Sequence, residues 1–447
     1  MNFDAVKNTL EEEAKKAGLE EYEIYFMESE GISTETLKGE ISSFSSEVSG
    51  GVCFRCIVDK KMGRAATELF TDEEMKALVQ RAINNARYIE KDDKAIIYAG
   101  AEHYAQPELP PLPCESAAEL KSISLDLLDK TKKQSSYVAD SSQTGAAKSR
   151  VRMELINSHG LHLSGEVGTL ISFVQSVVEK NGESQYGIAM AKGILGKEVE
   201  DMPQKATQEA LAKIGAQEIP SGKYDIIIDG EQMRNLLSVF CPVFFGRQAN
   251  LGLSLLKGKE GERIAASCIT IVDDPMYKGS SMQIGFDGEG VPTYTKNVIE
   301  DGVLKTLLYD IASADKVERE STGNGQRSGY TSDVGIAPYH FYIKGGALSE
   351  DELLERMGDG LYITELKGLH AGANAVTGDF SIESFGFIVK NGIKREAVHS
   401  FTIAGNFFEL LKNIEELSSE VKFSIATGFT VFGSPDILIR GMSVAGT

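Results

Sequence analysis

The chain has no long apolar run. Its longest nearly apolar stretch, residues 236–245, falls well short of the roughly 18 residues that a membrane-spanning helix needs. The residues after Met1 form a polar, amphipathic stretch without the apolar core of a secretory signal. We therefore predict a cytoplasmic protein that does not span a membrane.

Cysteines are few and scattered. The 447 residues contain five of them, Cys53, Cys56, Cys114, Cys241 and Cys268. An odd number without regular spacing argues against a disulfide framework and fits a reducing compartment. The C-x-x-C pair at Cys53 lies in an alternating, strand-like stretch, where side chains three residues apart diverge, whereas redox pairs of this spacing begin a helix. We interpret this pair as core or edge thiols.

Positive charge is also scarce. The chain has 46 Lys and Arg against 66 Asp and Glu, which gives a formal net charge of −20. Proteins that bind nucleic acids usually present a basic patch to the phosphates. The composition therefore argues against direct nucleic-acid binding and suits contact with another protein better.

The length of the chain exceeds what one hydrophobic core usually serves, so it should divide into domains. We predict an α+β fold with two small α+β units followed by a large strand-rich domain, which would be an antiparallel or mixed sheet or an open barrel with flanking helices. The units span residues 1–101 and 114–220, and the C-terminal domain spans residues 221–447. Four prolines make residues 102–113 a helix-poor linker.

Local patterns place several elements. Apolar residues recur at helical spacing in five stretches, residues 3–17, 114–133, 198–215, 231–246 and 407–417. Three dipeptides that favour tight hairpin turns follow strand-like runs, Asn181-Gly182, Asp301-Gly302 and Asn391-Gly392. Ser349 and Glu352 have the spacing of a capping box at a helix start.

Four glycine-containing motifs follow one another in the second half. They are FDGEGVPTYTKNVIEDGVL at residues 286–304, STGNGQR at 321–327, GLHAGANAVTGDFSIESFGFIVKNGI at 368–393 and ILIRGMSVAG at 437–446. Each alone is compatible with an ordinary glycine turn. Together they resemble the TldD/PmbA family of bacterial and archaeal metallopeptidase proteins, and VTGDFS at 376–381 resembles its PmbA (TldE) branch.

The resemblance also implies a zinc site, for which this chain lacks the residues. Peptidases of the TldD branch carry H-E-x-x-x-H on a helix after the first strand of this domain, and a cysteine near the C-terminus. Such histidines share one helical face and can hold a metal, while the glutamate can act as a base on metal-bound water. Here residues 231–246 contain no histidine, residues 423–435 contain no cysteine, and no histidine precedes a glutamate. We therefore predict no catalytic residue and no metal in this chain, with zinc in a TldD-like partner.

The histidines of this chain do not form a replacement site. His340 and His370 are distant in sequence, on a predicted strand and a turn, and no second ligand is paired with either. His159 and His162 would lie on opposite sides of a continuous strand. We interpret all four as surface or core-edge histidines.

Polar residues beside glycine are the candidates for contact with a substrate. They form two sets, Gly323, Asn324, Gly325 and Arg327, and Thr377, Gly378, Asp379 and Ser381. Either set is an ordinary turn, or its backbone amides and side chains line a cleft that holds an extended peptide or its carboxylate. The first set lacks the third glycine of a dinucleotide fingerprint and the Lys-Ser/Thr of a P-loop. No histidine is placed to complete a Ser-His-Asp set with the second.

The resemblance favours a PmbA/TldE-like subunit of a metallopeptidase that acts on unfolded or small peptides in an enclosed chamber. Such a subunit would pair with a zinc-bearing TldD-like chain, or form a homodimer in its absence, and would hold the peptide substrate as an extended strand. The alternative is a non-proteolytic binding or regulatory protein of the DNA gyrase modulator type. A stand-alone peptidase is the third hypothesis, and no constellation of residues supports it.

Overall fold

The structure is a computed structural model that describes residues 3–90, 94–112 and 116–447. Cys114 and the start of the helix predicted from residue 114 lie outside the described residues. The predicted α+β class is confirmed, with helices and a large strand-rich C-terminal region.

The first half repeats the order of helix, three strands and helix. Its elements are α1 (Phe3–Lys16), β1 (Tyr22–Leu37), β2 (Glu40–Val58), β3 (Lys61–Thr67), α2 (Asp72–Tyr88), α3 (Ala117–Lys132), β4 (Gln143–Asn157), β5 (His162–Lys180), β6 (Glu183–Lys192) and α4 (Lys197–Lys213).

All six of these strands form one antiparallel sheet, with the order β3-β2-β1-β4-β5-β6. Strand β1 pairs with β2 on one side and with β4 on the other, so both predicted α+β units contribute to a single sheet. The proline-rich segment connects the two halves of this sheet. The domain boundaries themselves stay a prediction.

The two faces of the sheet have different neighbours. One face packs on helices, as shown by the cluster of Ile24, Phe54 and Cys56 with residues of α1 and α2. The other face packs on the C-terminal half, where Tyr25 and Cys53 join a cluster with residues of both parts of the chain. The side chains of Cys53 and Cys56 therefore diverge, as predicted.

The second half consists of shorter elements. They are β7 (Gly222–Ile228), α5 (Gly230–Phe240), a 3-10 turn (Cys241–Phe244), α6 (Gly246–Asn250), β8 (Ile271–Asp274), β9 (Lys296–Glu300), β10 (Val303–Leu304), α7 (Ile311–Asp315), β11 (Gly325–Gln326), β12 (Gly335–Ile336), β13 (His340–Ile343), α8 (Glu350–Met357), β14 (Gly360–Lys367), α9 (Leu369–Gly372), β15 (Asp379–Lys390), β16 (Ile393–Asn406), α10 (Phe407–Asn413), β17 (Ile414–Leu417), β18 (Lys422–Phe423), β19 (Val431–Ser434) and β20 (Ile437–Ala445).

Five of these strands close into a barrel. The order is β16-β15-β14-β7-β20, and β16 pairs with β20 to complete the ring, while β17 lies outside on β20. Irregularities in the β15–β16 register bend this hairpin, which helps it to curve round and close. A separate sheet has the order β10-β9-β8-β13-β19-β18. The C-terminal half therefore contains both a barrel and a mixed sheet, in agreement with the predicted strand-rich domain, and the barrel is closed rather than open.

Two predicted helices are shorter than expected. The helix predicted over residues 231–246 ends at Phe240, because Pro242 has no N–H to continue the hydrogen bonding and a 3-10 turn follows. The helix predicted over residues 407–417 ends at Asn413. Its last apolar residues, Ile414 and Leu417, belong instead to β17, which pairs with β20.

No helix among the described residues is both long enough and apolar enough to cross a membrane.

Candidate functional site

A cleft lies between the helix-free face of the first sheet and loops of the C-terminal half. It contains a cavity of about 320 Å³ whose lining includes Lys192 and Lys278, and we call it the lysine cavity. A second cavity, of about 440 Å³, has Ser29 and Ser49 in its lining, and we call it the serine cavity. Cavities of this size lie in the range that small ligands and short peptide segments occupy.

The lysine cavity and the serine cavity adjoin. Thr169 of β5, Met282 after β8 and Ala426 before β19 line both of them. An extended segment of peptide could therefore occupy the two cavities together.

The loop that contains Gly323, Asn324 and Gly325 is buried within the C-terminal half, and these residues do not line either cavity of the cleft. The Asn324 side chain is fully buried, and its amide donates a hydrogen bond to the Asp273 carboxylate at 2.7 Å. The backbone N–H of Gly325 donates to the Asp287 carboxylate at 2.8 Å. These polar groups hold neighbouring loops together, and their contact with a peptide stays a prediction.

Arg327 ties the C-terminal half to the first sheet. Its side chain is 2% exposed, packs over the Tyr25 ring at 4.5 Å and donates to the Glu23 carboxylate. Arg55 binds the same carboxylate through two hydrogen bonds of 2.9 and 2.7 Å. Although burial alone would raise the pKa of Glu23, the two guanidinium groups lower it. Glu23 is therefore ionised at neutral pH, at the junction of the two halves.

Arg327 also lines a third cavity, which has a volume of about 930 Å³. Other basic side chains in its wall include Arg55, Arg64 and Arg247, and we call it the arginine cavity. Each of these three is paired with a carboxylate, as Arg64 is with Asp333 at 2.8 Å. The charges around the arginine cavity therefore largely compensate one another.

Two buried carboxyl groups, Asp287 and Glu289, flank Gly325. A Cβ built on Gly325 would lie 2.6 Å from Glu289 Oε2 and 3.1 Å from Asp287 Oδ2. Burial and the charge of Glu289 raise the pKa of Asp287 to about 8. Burial also raises the pKa of Glu289 to about 7, against the opposing charge of Arg55. The pair therefore retains a proton near neutral pH, which sequence reasoning missed although both residues lie in the FDGEG motif.

The second predicted set lies on the barrel surface. Thr377, Asp379 and Ser381 are exposed, while Gly378 is buried beside the Phe408 ring. The Asn406 side chain donates to Asp379 Oδ1 and to the Thr377 carbonyl, each at 2.9 Å. These residues line neither cavity of the cleft, and the same holds for Gly323, Asn324, Gly325 and Arg327. The first set is buried and the second is mostly exposed, so the structure does not bring the two sets together.

Helix α5 occupies the place where the resemblance implies a zinc site. Its buried side chains are apolar, among them Met233, Leu236 and Leu237, and the Phe240 ring stacks on Phe407 at 4.5 Å. These residues do not fit zinc, because none offers a metal ligand of the type that zinc prefers. Within the described ranges, no group of three or more His, Cys, Asp or Glu residues is arranged to hold a metal ion.

A paired polar cluster surrounds the start of helix α5. Lys422 donates to Asp229 at 2.7 Å and to Asp436 at 2.8 Å, and the Tyr362 hydroxyl donates to Asp229 at 2.9 Å. Burial alone would lower the pKa of Lys422, but the two carboxylates raise it. All of these groups have partners, so the cluster fixes the start of the helix against β20.

A histidine and a lysine from distant segments meet at the lysine cavity. His340 is almost fully buried, and its ring stacks on Tyr277 at 5.1 Å. Lys192 is at the end of β6, and its Nζ atom is 5.2 Å from the centre of the Phe423 ring. Sequence reasoning treated His340 as structural and did not consider Lys192. No local signal could have joined them, because the two segments that carry them are far apart in the sequence.

The other histidines do not share a site. His159 lies near Glu21, 4.0 Å away, and His162 lies 3.2 Å from Glu154. His370 lies on the short helix α9, which has no buried residue.

Comparison with known proteins gives consistent matches. The family model described as PmbA/TldA metallopeptidase C-terminal domain matches residues 221–446, and the model of PmbA/TldA metallopeptidase domain 1 matches residues 22–86. The chain is 26% identical over 412 residues to the metalloprotease PmbA of Escherichia coli, with 90% of this chain and 88% of the relative covered.

Two solved structures have similar folds. A candidate modulator of a DNA gyrase from Thermotoga maritima superposes with a TM-score of 0.89 and 27% identity, covering 99% of this chain and 100% of that one. TldE from Thermococcus kodakarensis superposes with a TM-score of 0.89 and 24% identity, covering 99% and 100%.

Proposed function

Because this chain belongs to the PmbA/TldD metallopeptidase family, we propose that it is the TldE-like subunit of a peptidase and that a TldD-like chain supplies the zinc. The two chains form a heterodimer that cleaves unfolded or small peptides in the cytoplasm. A homodimer of this chain is the alternative assembly.

The composition of helix α5 is the observation that supports assigning the zinc to the partner and not to this chain. A metal site needs nitrogen, sulphur or oxygen ligands on a face that water and substrate can reach. The equivalent helix here contributes Leu236, Leu237 and Phe240 to the largest apolar core of the protein. Placing a zinc ion there would require both new ligands and the loss of this packing.

The contribution of this chain is to close the chamber and to hold the peptide. The cleft between the first sheet and the C-terminal half offers adjoining cavities for an extended segment. Arg327 joins the C-terminal wall of this cleft to the first sheet through Glu23, while the glycine-rich loop at residues 323–325 is fixed within the C-terminal half by Asp287. The exposed residues Thr377, Asp379 and Ser381 are candidates for contact with peptide at a second surface.

The test begins with the metal content of the chain, expressed alone and purified without a chelator. Elemental mass spectrometry should find zinc well below one atom per chain. Mixing it with a TldD-like chain from the same organism should produce peptide cleavage that a chelator abolishes. The matched control is a TldD-like chain in which the glutamate of H-E-x-x-x-H is replaced by glutamine, and this mixture should be inactive. Stoichiometric zinc that survives dialysis, or chelator-sensitive cleavage by this chain alone, would contradict the proposal.

A regulatory role is the second candidate, because a similar structure from Thermotoga maritima carries the name of a candidate DNA gyrase modulator. The net charge of −20 suits contact with a protein rather than with DNA. Affinity purification from the native organism separates the two candidates. Recovery of gyrase subunits without any TldD-like chain would favour this role.

A further inference from the structure

The lysine cavity has an unusual charge for this protein. Lys192 and Lys278 are among the residues that line it, and no Asp or Glu is among the lining residues that the structure describes. The chain as a whole carries a net charge of −20. A cavity with two cations and no carboxylate favours an anionic ligand, in contrast to the arginine cavity, where residues such as Arg247 pair with carboxylates.

Lys192 lacks the partner that a lysine usually has. Over the described part of the chain its amino group makes no hydrogen bond or ion pair, and it lies over the face of the Phe423 ring. The residue as a whole is exposed, while partial desolvation of the amino group lowers its pKa to about 8; the charge of Arg234 adds to this effect and that of Glu198 opposes it. The amino group is still mostly charged at pH 7, and a carboxylate would relieve its isolation.

His340 lines the same cavity, and its ring contains a buried acceptor. Its Nδ1 lies 3.2 Å from the Asp274 carbonyl oxygen, which only accepts, so Nδ1 carries the proton. Burial and the charge of Lys192 lower the pKa of His340 to about 4, so the ring is neutral at pH 7. Nε2 is therefore an acceptor, and it has no partner among the residues that the structure describes. A buried acceptor without a donor is a costly arrangement that a ligand N–H would relieve.

The adjoining serine cavity has a different character. Within the described ranges no charged residue lines it, and its walls combine small and apolar residues with the serines Ser29, Ser49, Ser149 and Ser328. Serine hydroxyls can both donate to and accept from a peptide backbone. The serine cavity therefore suits the uncharged body of a chain whose anionic end lies beside Lys192.

We propose that the lysine cavity binds the C-terminal carboxylate of a short peptide. Lys192 pairs with the carboxylate, and Nε2 of His340 accepts the N–H of the last residue. The last side chain lies among apolar lining residues such as Leu170 and Val431, and the preceding residues extend into the serine cavity. This inference rests on the proposed function and names the part of the peptide that this subunit holds.

The test measures binding of fluorescein-labelled tetrapeptides to the full chain, alone and without metal, by fluorescence anisotropy. The peptide ends in leucine and carries the label at its N-terminus. The free acid should bind at least about tenfold more tightly than the C-terminal amide, because a charge-assisted contact is lost in the amide. An ester in place of the last peptide bond removes only the N–H, and it should weaken binding about fivefold or more.

Variants separate the role of Lys192 from that of net charge. Lys192→Gln should abolish the preference for the free acid while leaving the affinity for the amide unchanged. Lys197→Gln is the matched control, since it removes the same charge from an exposed lysine outside the cavity and should keep the preference. An amidated peptide with an internal aspartate tests whether a side-chain carboxylate is sufficient, and it should bind no better than the plain amide.

Several results would overturn the proposal. They are equal binding of acid and amide, equal binding of the internal aspartate peptide and the free acid, or no binding of any peptide at millimolar concentration. Because the assay uses neither partner nor zinc, these results would leave the reconstitution experiment untouched. A preference for the free acid together with failed reconstitution would keep the carboxylate site and refute the peptidase role.

Discussion

The ion triad of Glu23, Arg55 and Arg327 allows a quantitative test of how the two halves are held together. All three side chains are buried, and Glu23 neutralises two guanidinium groups. The substitution Glu23→Gln keeps the shape of the side chain and removes the charge. It leaves two buried cations without their carboxylate.

The expected cost follows from this geometry. Removing one partner of a buried ion pair destabilises a protein by about 3–5 kcal/mol, because the other charge remains desolvated. That is a large part of the roughly 5–15 kcal/mol by which proteins are usually stable. Arg327→Met should cost less, about 1–3 kcal/mol, because the pair of Glu23 with Arg55 survives. The pKa of Glu23 is lowered in the folded state, so its contribution is present above its unfolded pKa and is lost as pH falls through the folded value.

Urea unfolding at pH 7, followed by circular dichroism, measures these free energies. Glu13→Gln is the matched control, because Glu13 pairs with a mostly exposed Lys16 and should change stability by less than about 0.5 kcal/mol. The difference between wild type and Glu23→Gln should shrink as the pH falls below about 4. A loss of less than about 1 kcal/mol at pH 7 would refute the view that this triad fastens the two halves.

Three further outcomes are expected. The folded pKa of Glu289 is raised to about 7, so the stability of the wild type falls as the pH rises from about 4.5 to 7. In urea unfolding, Glu289→Gln should therefore be about 1–3 kcal/mol more stable than the wild type at pH 8 and nearly equal to it at pH 5. An equal difference in stability at both pH values would contradict the raised pKa. Gly63→Ala would place a Cβ 2.0 Å from the Ala82 carbonyl oxygen, so the soluble yield and the melting temperature should fall sharply. Gly31→Ala has open space around the new Cβ and should have a milder effect, and equal losses in the two variants would contradict the steric argument. Ser349→Ala removes the cap of α8 and should cost about 1 kcal/mol in the same unfolding assay, and no change would show that the cap contributes nothing.

Features encoded by neighbouring residues were predictable from the sequence. The turn at Asn391-Gly392 has positive φ at both residues and joins β15 to β16, as the dipeptide predicts. The capping box of Ser349 and Glu352 forms with both of its hydrogen bonds. These outcomes depend on residues within a few positions of each other, so the local pattern contains the necessary information.

Features that depend on distant partners were not predictable in this way. Ile414 and Leu417 continue a helical spacing, but pairing with β20 places them in a strand. The lysine cavity combines Lys192 and His340, which no spacing rule connects. Arg327 was predictable as a special residue of its motif, but its burial against Glu23 depends on how the two halves pack.

The central place of β1 in the first sheet has a consequence for synthesis of the protein on the ribosome. Strand β4 pairs along nearly the whole length of β1. On the ribosome, however, β1 is complete at Leu37 and β4 is complete only at Asn157, so a long stretch of chain is made between them. Translation at roughly 5–20 residues per second leaves the edge of β1 without its neighbour for on the order of ten seconds. An open strand edge is a template for pairing with other nascent chains. Chaperones that bind the emerging chain during this interval should therefore raise the yield of folded protein more than those that act after release.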